Sequence, residues 1–246
     1  MIEPEPSRDH TERMLLAMGI DVRRDGARVS VRPADAVRAR DVRVPGDPSS
    51  AAFLIAAATL VEGSAVTVGN VAANWTRTGF IEIARRMGAA IGGEIEQPGA
   101  PLSAHEPTTA LEVTHSRLSG TVVEPGEIAL AIDELPLVAL LGCFAEGETV
   151  IGGAQELRLK ETDRIATVVE GLSALGAAIE ATDDGFIVQG GGGLRGGVLH
   201  SHGDHRLAML GAIAGLASRE GVEVVGMDAA AVSYPGFVDD VAGLSR

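Results

Sequence analysis

Residues 158–179 read RLKETDRIATVVEGLSALGAAI, and this stretch shows the pattern on which the rest of the chain is built. Apolar residues recur every three or four positions from Ile165 to Leu175, which predicts a helix that buries one face and ends at Gly176. Charged residues occupy five of the first eight positions. They therefore gather at the helix entrance, where free backbone N–H groups and the helix dipole favour an anion. The stretch predicts a site for an anionic ligand.

The alternative is that these charges form ordinary solvated ion pairs. Glu161 could pair with Arg164, or Lys160 with Asp163, for roughly a few tenths of a kcal/mol each. An equivalent stretch elsewhere in the chain helps to choose. Residues 74–79 read NWTRTG at the corresponding place and lack the mixed charges. Since the architecture does not require the charges of residues 158–164, the ligand interpretation is favoured.

The chain repeats one unit of strand, helix, strand, helix and strand pair. In each unit an aspartate precedes an apolar first helix, a Glu-Gly turn leads to an alternating strand, and a second helix ends at glycine. First helices are predicted at 51–60, 135–144 and 206–217, and the strands that follow them at 66–68, 149–151 and 222–225. A helix at 7–18, a hairpin with strands at 20–23 and 28–31, a strand pair around Asp184-Gly185 and a last helix at 235–244 complete the prediction.

This pattern predicts an α/β protein of repeated βαβαββ units, with mixed sheets packed against helices. Residues 1–44 are expected to be a terminal helix and hairpin left from one domain. Residues 45–246 are expected to form a second domain, with repeats near 45–120, 121–198 and 199–246. Both chain ends interrupt a unit, so we expect an upstream part to be deleted or carried on another chain. Unpaired strand edges could then lead to self-association.

Composition limits the function classes. A net charge of −14 over 246 residues argues against a nucleic-acid partner. The single cysteine, Cys143, fits a reducing compartment and is expected to be a small buried apolar residue. The acidic N-terminus is not a signal peptide, and no apolar run reaches the length of a membrane span. We therefore expect a soluble cytoplasmic protein without membrane contact.

Aspartates 47, 133 and 204 each precede a first helix, where N-capping is the simplest role. Spacing alone does not say which of them, if any, performs chemistry. The cluster of His200, His202, Asp204 and His205 invites a metal interpretation. We do not favour it, because these residues are too close in sequence to converge easily and Arg206 opposes a cation. The glycine-rich run 190–197 lacks the Lys-Ser/Thr of a phosphate loop and is expected to connect strands.

Five segments resemble the 3-phosphoshikimate 1-carboxyvinyltransferase (EPSP synthase) family, in matching order along essentially the whole chain. They are RLKETDRI at 158–165, SRDHTE at 7–12, GDPSSAAF at 46–53, IDELP at 132–136 and DHR at 204–206. The resemblance implies the enolpyruvyl transferase fold, an inside-out α/β barrel with two domains of three units each. This chain would supply the C-terminal portion. The implied reaction joins phosphoenolpyruvate to shikimate-3-phosphate and uses no metal or organic cofactor.

The resemblance also implies residue roles. Asp133 resembles the proton acceptor for the 5-hydroxyl of shikimate-3-phosphate, and Glu161 resembles the acid/base that handles the methylene proton. Ser7, Arg8 and Lys160 resemble contacts to shikimate-3-phosphate. Arg164 and Arg206 resemble the clamp on phosphoenolpyruvate. Three further residues are expected to contact these side chains rather than the substrates: Arg158, Asp204 and His205.

Some family features have no counterpart in this sequence. The N-terminal Lys-Ser and Arg contacts and the glycine-rich phosphoenolpyruvate loop are missing, and Glu156 and Val232 stand where family members carry Asn and Lys. The isolated chain is therefore expected to be inactive without a complementary N-terminal segment. Two other interpretations stay open: the sister transferase acting on UDP-N-acetylglucosamine, and a non-catalytic ligand-binding module of the same fold.

Overall fold

The computed structural model describes residues 1–244, so the last two residues of the predicted 45–246 domain, Ser245 and Arg246, lie outside the described residues. The helices are α1 (His10–Ala17), α2 (Pro48–Leu60), α3 (Gly79–Arg86), α4 (Pro125–Ala131), α5 (Leu135–Phe144), α6 (Arg164–Ala174), α7 (His205–Ala217) and α8 (Phe237–Leu244). The strands are β1 (Val22–Asp25), β2 (Arg28–Val31), β3 (Ala65–Ala72), β4 (Ala90–Ile91), β5 (Thr108–Thr114), β6 (Val122–Val123), β7 (Glu148–Ile151), β8 (Ala178–Ala181), β9 (Phe186–Gln189), β10 (Gly197–His200) and β11 (Val222–Val225). Two 3-10 helices cover Gln155–Leu159 and Met227–Val232.

The sheets confirm the repeat. In the second unit the strand order is β6-β7-β9-β8, with β6 parallel to β7 and the other pairs antiparallel. The first unit has the same arrangement, with a parallel bridge from Gly46 to Val71 of β3 and the antiparallel order β3-β5-β4. The third unit contributes the parallel pair β10-β11. The predicted mixture of parallel and antiparallel pairing is therefore confirmed, although the sheets formed by residues 1–244 do not close into a barrel.

The first helices of the units form the centre of the molecule. α2, α5 and α7 pack against one another, and every residue from Leu135 to Cys143 of α5 is buried. Such helices are apolar all round because they meet other helices on one side and sheets on the other. The first helices therefore lie inside and the sheets lie outside.

Glycines in the left-handed region end the second helices and form the Glu-Gly turns. The glycines that follow α1, α3 and α6 have φ values of 85°, 103° and 97°, at Gly19, Gly88 and Gly176. Those of the three Glu-Gly turns have φ values of 80°, 90° and 77°, at Gly63, Gly147 and Gly221. Residues with a Cβ avoid this region, so the repeated glycines mark places where the backbone requires them.

Several helix starts differ from the prediction. α2 begins at Pro48 rather than residue 51, and α8 begins at Phe237 rather than residue 235. α1 begins at His10 rather than residue 7, since Asp9 turns its side chain to Arg13 instead of capping the helix. α4 was not predicted at all. The helix and hairpin at the N-terminus have a small apolar core of their own, formed by Ile20, Val22 and Val29. The division into domains 1–44 and 45–246 remains a prediction. Within residues 1–244, each helix is too short or too polar to cross a membrane.

Candidate active site

Four basic side chains from distant parts of the sequence converge on Asp133. Arg8 precedes α1, Lys160 follows a 3-10 helix, Arg164 opens α6, and Arg206 lies in the first turn of α7. The helix entrances thus bring the predicted cations together, as the ligand interpretation of residues 158–165 requires.

The contacts to Asp133 are close. Arg8 Nη2 donates to its Oδ2 at 2.6 Å, and Arg206 Nη2 lies 3.7 Å from the same oxygen. Lys160 Nζ and Arg164 Nη1 lie 3.5 and 3.6 Å from Oδ1. Burial alone would raise the pKa of Asp133, but Arg206, Arg8 and Lys160 outweigh it and lower the pKa to about 2. Asp133 is therefore a carboxylate at neutral pH.

Arg164 is a buried cation, with 1% of its side chain exposed. Its Nε and Nη2 donate to the two carboxylate oxygens of Asp204 at 2.8 and 3.2 Å. The Asp204 side chain is fully buried, and its pKa is lowered because the bonds from Arg164 outweigh the effect of burial. A bidentate pair of this kind fixes the guanidinium plane. The Glu161–Arg164 pair named in the alternative interpretation does form, but its arginine is buried rather than solvated.

Glu161 lies on the solvent side of Arg164. Arg164 Nη2 donates to Glu161 Oε2 at 2.5 Å, and half of the Glu161 side chain is exposed. His205 Nδ1 lies 3.9 Å from the other oxygen. Burial and then Arg206 lower the pKa of His205, which favours the neutral imidazole. The half-exposed Glu161 carboxyl can exchange a proton with a bound molecule.

The other charged residues of the 158–165 stretch do not form the second pair that the alternative interpretation offered. Lys160 Nζ donates to Glu156 at 2.7 Å rather than to Asp163. Asp163 instead caps α6 and accepts from Arg158 Nη1 at 2.7 Å. Arg158 also donates to the backbone oxygens of Thr182 and Asp183. Arg158 thus bonds the residue that caps α6, and its side chain extends to the β8–β9 turn.

The aspartates before the first helices divide into two groups. Asp47 accepts from the N–H groups of Ser49 and Ser50, and Asp204 accepts from that of Arg206. Asp133 does not cap α5, whose N-cap position is held by Glu134. Asp133 is therefore the one of these three aspartates that does not cap a first helix, and its carboxylate faces four cations.

Two aspects of the site were not expected from the sequence. Ser7 Oγ donates to Glu3 at 2.6 Å rather than to a residue at Asp133. Glu134 and Arg77 belong to a buried hydrogen-bond network that includes Arg206, and neither is among the predicted site residues. The acidic neighbour in IDELP and the arginine in NWTRTG were visible in the sequence, but only the tertiary contacts connect them.

One group of potential metal ligands occurs in the described residues: Asp9, His10 and Glu106, whose ligand atoms lie within 4.8 Å of one another. Asp9 already accepts from Arg13 Nε at 2.8 Å and from Asn74 Nδ2 at 2.7 Å. A carboxylate neutralised by a buried guanidinium is a poor cation ligand. This cluster joins the N-terminal helix to the rest of the chain.

Repeated βαβαββ units around a cation cluster define a protein of the enolpyruvyl transferase fold. The enolpyruvyl transferase NikO from Streptomyces tendae shares this fold with a TM-score of 0.72 at 21% identity, over 99% of this chain and 54% of that one. A family model described as EPSP synthase (3-phosphoshikimate 1-carboxyvinyltransferase) matches residues 1–241, and the chain belongs to that family.

Similar proteins agree with this assignment. The EPSP synthase of Acinetobacter baumannii superposes with a TM-score of 0.90 at 38% identity, over 99% of this chain and 56% of that one. The 3-phosphoshikimate 1-carboxyvinyltransferases of Brevibacillus brevis and Roseiflexus castenholzii are 46% and 50% identical over 99% and 94% of this chain. The alignments cover 56% and 53% of those relatives, so the chain spans about half their length.

Proposed function

We propose that this chain carries the acid, the base and part of the anion clamp of an enzyme that transfers enolpyruvyl from phosphoenolpyruvate to the 5-hydroxyl of shikimate-3-phosphate. The reaction releases phosphate and belongs to the shikimate pathway of aromatic amino-acid biosynthesis. The observation that carries the proposal is the convergence of four cations on Asp133. The lone cysteine supports a cytoplasmic location, where thiols stay reduced.

Two anionic substrates must lie side by side, and fixed cations offset their repulsion. We assign Arg164 and Arg206 to phosphoenolpyruvate, because bidentate guanidinium groups match carboxylate and phosphate geometry. Arg8 and Lys160, which also contact the Asp133 carboxylate, are assigned to shikimate-3-phosphate together with Ser7. The small exposed fraction of Arg164 and Arg206, 1% and 13%, supports this assignment because rigid, partly dry donors bind oxyanions strongly.

The reaction has an addition step and an elimination step, and each step needs one proton acceptor and one proton donor. In the addition step the 5-oxygen bonds to C2 of phosphoenolpyruvate, Asp133 accepts the hydroxyl proton, and Glu161 donates a proton to the methylene carbon. In the elimination step the bond from C2 to the phosphate oxygen breaks, and the leaving phosphate takes the proton held by Asp133. Glu161 takes a proton back from the new methyl group, which re-forms the C=C bond. Substrate anions would draw the cations away from Asp133 and so raise its basicity when it is needed.

We further propose that activity requires a complementary N-terminal segment. The chain spans about half the length of its relatives. Among residues 1–244, β11 pairs with β10, whereas β3 and β7 each also pair with a closing strand. Beside β11 lies an apolar groove of about 540 Å³ that includes Leu216, Val222 and Phe237. The complementary segment, or a second copy of the chain, would cover this edge.

The test is a phosphate-release assay with both substrates. The chain mixed with the N-terminal half of a relative should turn over, and the chain alone should not. UDP-N-acetylglucosamine in place of shikimate-3-phosphate should give no phosphate. Turnover with the UDP-sugar would move the activity to the sister transferase. Equal turnover after Asp133→Asn would show that Asp133 is not the base and would reject the proposed chemistry.

A further inference from the structure

Glu134 is a buried carboxylate next to Asp133 that the proposed chemistry leaves without a role. Only 5% of the residue is exposed. Burial raises its pKa, while Arg206 and the hydrogen bond from Ser49 act in the opposite direction. A buried carboxylate is destabilising unless several donors satisfy it, so its neighbours are informative.

Two donors from different helices meet on one oxygen of Glu134. Ser49 Oγ donates to Oε1 at 2.5 Å, and Arg206 Nη1 donates to the same atom at 3.2 Å. Arg206 Nη1 also donates to the backbone oxygen of Asp133 at 3.0 Å. Two acceptors thus hold one end of the guanidinium. The plane that results points the other nitrogen, Nη2, towards the Asp133 carboxylate.

A second arginine reaches Glu134 through Ser49. Arg77 Nη2 donates to Ser49 Oγ at 2.9 Å and to Asp47 Oδ1 at 2.7 Å. A serine hydroxyl can donate only one hydrogen bond, so Ser49 accepts a hydrogen bond from Arg77 and donates one to Glu134. The hydrogen bonds therefore run in a fixed direction from Arg77 through Ser49 to the carboxylate, and Arg206 donates to it from the opposite side.

This network connects the amino ends of the central helices. Ser49 lies in the first turn of α2, Glu134 precedes α5, and Arg206 lies in the first turn of α7. Each of these helix ends carries a partial positive charge, which a nearby carboxylate stabilises. The position of Arg206 is therefore tied to the packing of the core rather than to its own flexible side chain.

We infer that Glu134 is a positioning residue: it holds the guanidinium of Arg206 in the orientation from which Arg206 faces Asp133 and the anionic substrate. The inference rests on the proposed function, because that function assigns Arg206 to phosphoenolpyruvate. Arg77 acts on the same carboxylate through Ser49. Glu134 is not expected to exchange protons with the substrates, since its side chain is buried and Ser49 and Arg206 already donate to it.

The kinetic test compares two Glu→Gln variants in the reconstituted enzyme. Glu134→Gln removes a charged acceptor of Arg206 without changing the volume, and we expect the KM for phosphoenolpyruvate to rise about tenfold. The KM for shikimate-3-phosphate should stay within about twofold. The matched control is Glu127→Gln, which removes a carboxylate bonded by Arg86 at the start of α4, and its constants should equal those of the parent. A general loss of structure would instead move both KM values and kcat together.

A second readout does not require activity. In the chain labelled with ¹⁵N-arginine, the Arg206 guanidinium signal, assigned by its loss in Arg206→Lys, should be restrained in the parent and averaged in Glu134→Gln. A reconstituted parent without turnover would refute the proposed function but leave this signal to decide the hold of Glu134 on Arg206. An unchanged signal, or turnover in which Glu134→Gln leaves the KM for phosphoenolpyruvate unaltered, would overturn the inference.

Discussion

Replacing Asp204 tests whether the buried Arg164 pair stabilises the chain or merely accompanies it. Asp204 accepts both guanidinium bonds, one bond from Thr162 Oγ1 at 3.2 Å and the N–H of Arg206 at 2.8 Å. Loss of a helix cap costs about 0.5–2 kcal/mol. Loss of one partner from a buried ion pair costs roughly 3–5 kcal/mol, because the remaining charge stays desolvated. We expect Asp204→Ala to lower the free energy of unfolding by about 4 kcal/mol.

The chain provides its own control in Asp47, which caps the equivalent helix of another unit. Asp47 accepts two backbone bonds, but 48% of its side chain is exposed. Asp47→Ala should therefore cost only about 1–2 kcal/mol. Asp204→Asn, which keeps an acceptor at the cap but loses the charge, should fall between the two alanine variants.

Urea unfolding of the full chain, followed by far-UV circular dichroism, measures these differences, provided the three variants share the parent's m-value. Equal losses in Asp204→Ala and Asp47→Ala would mean that capping explains both. The reasoning that Arg164 needs its buried partner would then be refuted.

Three further predictions concern the exposed side of the site. Burial would raise the pKa of Asp133, but the surrounding cations lower it from 3.8 to about 2. The charge of Asp133 therefore stabilises the fold above about pH 4, and this contribution is lost as the pH falls towards about 2. Asp133→Asn should flatten the decline in unfolding free energy over that window, and an unchanged slope would contradict this. Glu161→Gln should lower turnover of the reconstituted enzyme, measured by phosphate release, by about 10²–10⁴-fold. Binding of phosphoenolpyruvate, measured by calorimetry, should be retained. Normal turnover would show that Glu161 has no part in the mechanism. Glu156→Gln should tighten shikimate-3-phosphate binding up to about fivefold, since an exposed pair with Lys160 is worth about 0.2–1 kcal/mol; weaker binding in calorimetry would argue against competition for Lys160.

The periodic parts of the fold could be predicted from the sequence. Apolar runs gave α2, α5 and α7 because a helix buried on all sides is apolar along its whole length. The glycines after the second helices and in the Glu-Gly turns fixed the phase of the repeat, because their backbone conformation excludes most other residues. These are local properties, so they can be read without knowing what packs against them.

The missed helix α4 explains why the role of Asp133 could not be decided from spacing. α4 starts with a capping box in which Glu124 and Glu127 exchange hydrogen bonds, an acidic variant of a signal usually given by Ser or Thr. It ends at Ala131, so Asp133 lies in a short connection between two helices rather than at a helix entrance. Without α4, Asp133 looks like the N-cap of α5; with α4 in place, it lies in the connection between the two helices.

The partners of the buried charges could not be predicted either. Arg13 is 1% exposed and bonds Asp9, directly before its own helix, and Glu96, 83 positions away. Arg206 reaches Glu134 across 72 positions. Charged residues carry no periodic signal, and their burial depends on which distant segment supplies the opposite charge.

The cations of the site are paired with carboxylates because the site must stay folded when no anionic substrate is bound. Bare cations at these distances would repel one another by several kcal/mol in a partly buried site. The buried carboxylates of Asp204 and Glu134 bond Arg164 and Arg206, and because they are buried they cannot turn into solvent. Glu161 and Glu156, with 50% and 64% of their side chains exposed, can move away. An incoming phosphate group would therefore replace the exposed carboxylates and leave the buried ones in place, and the displaced Glu161 would be the residue required to move a proton.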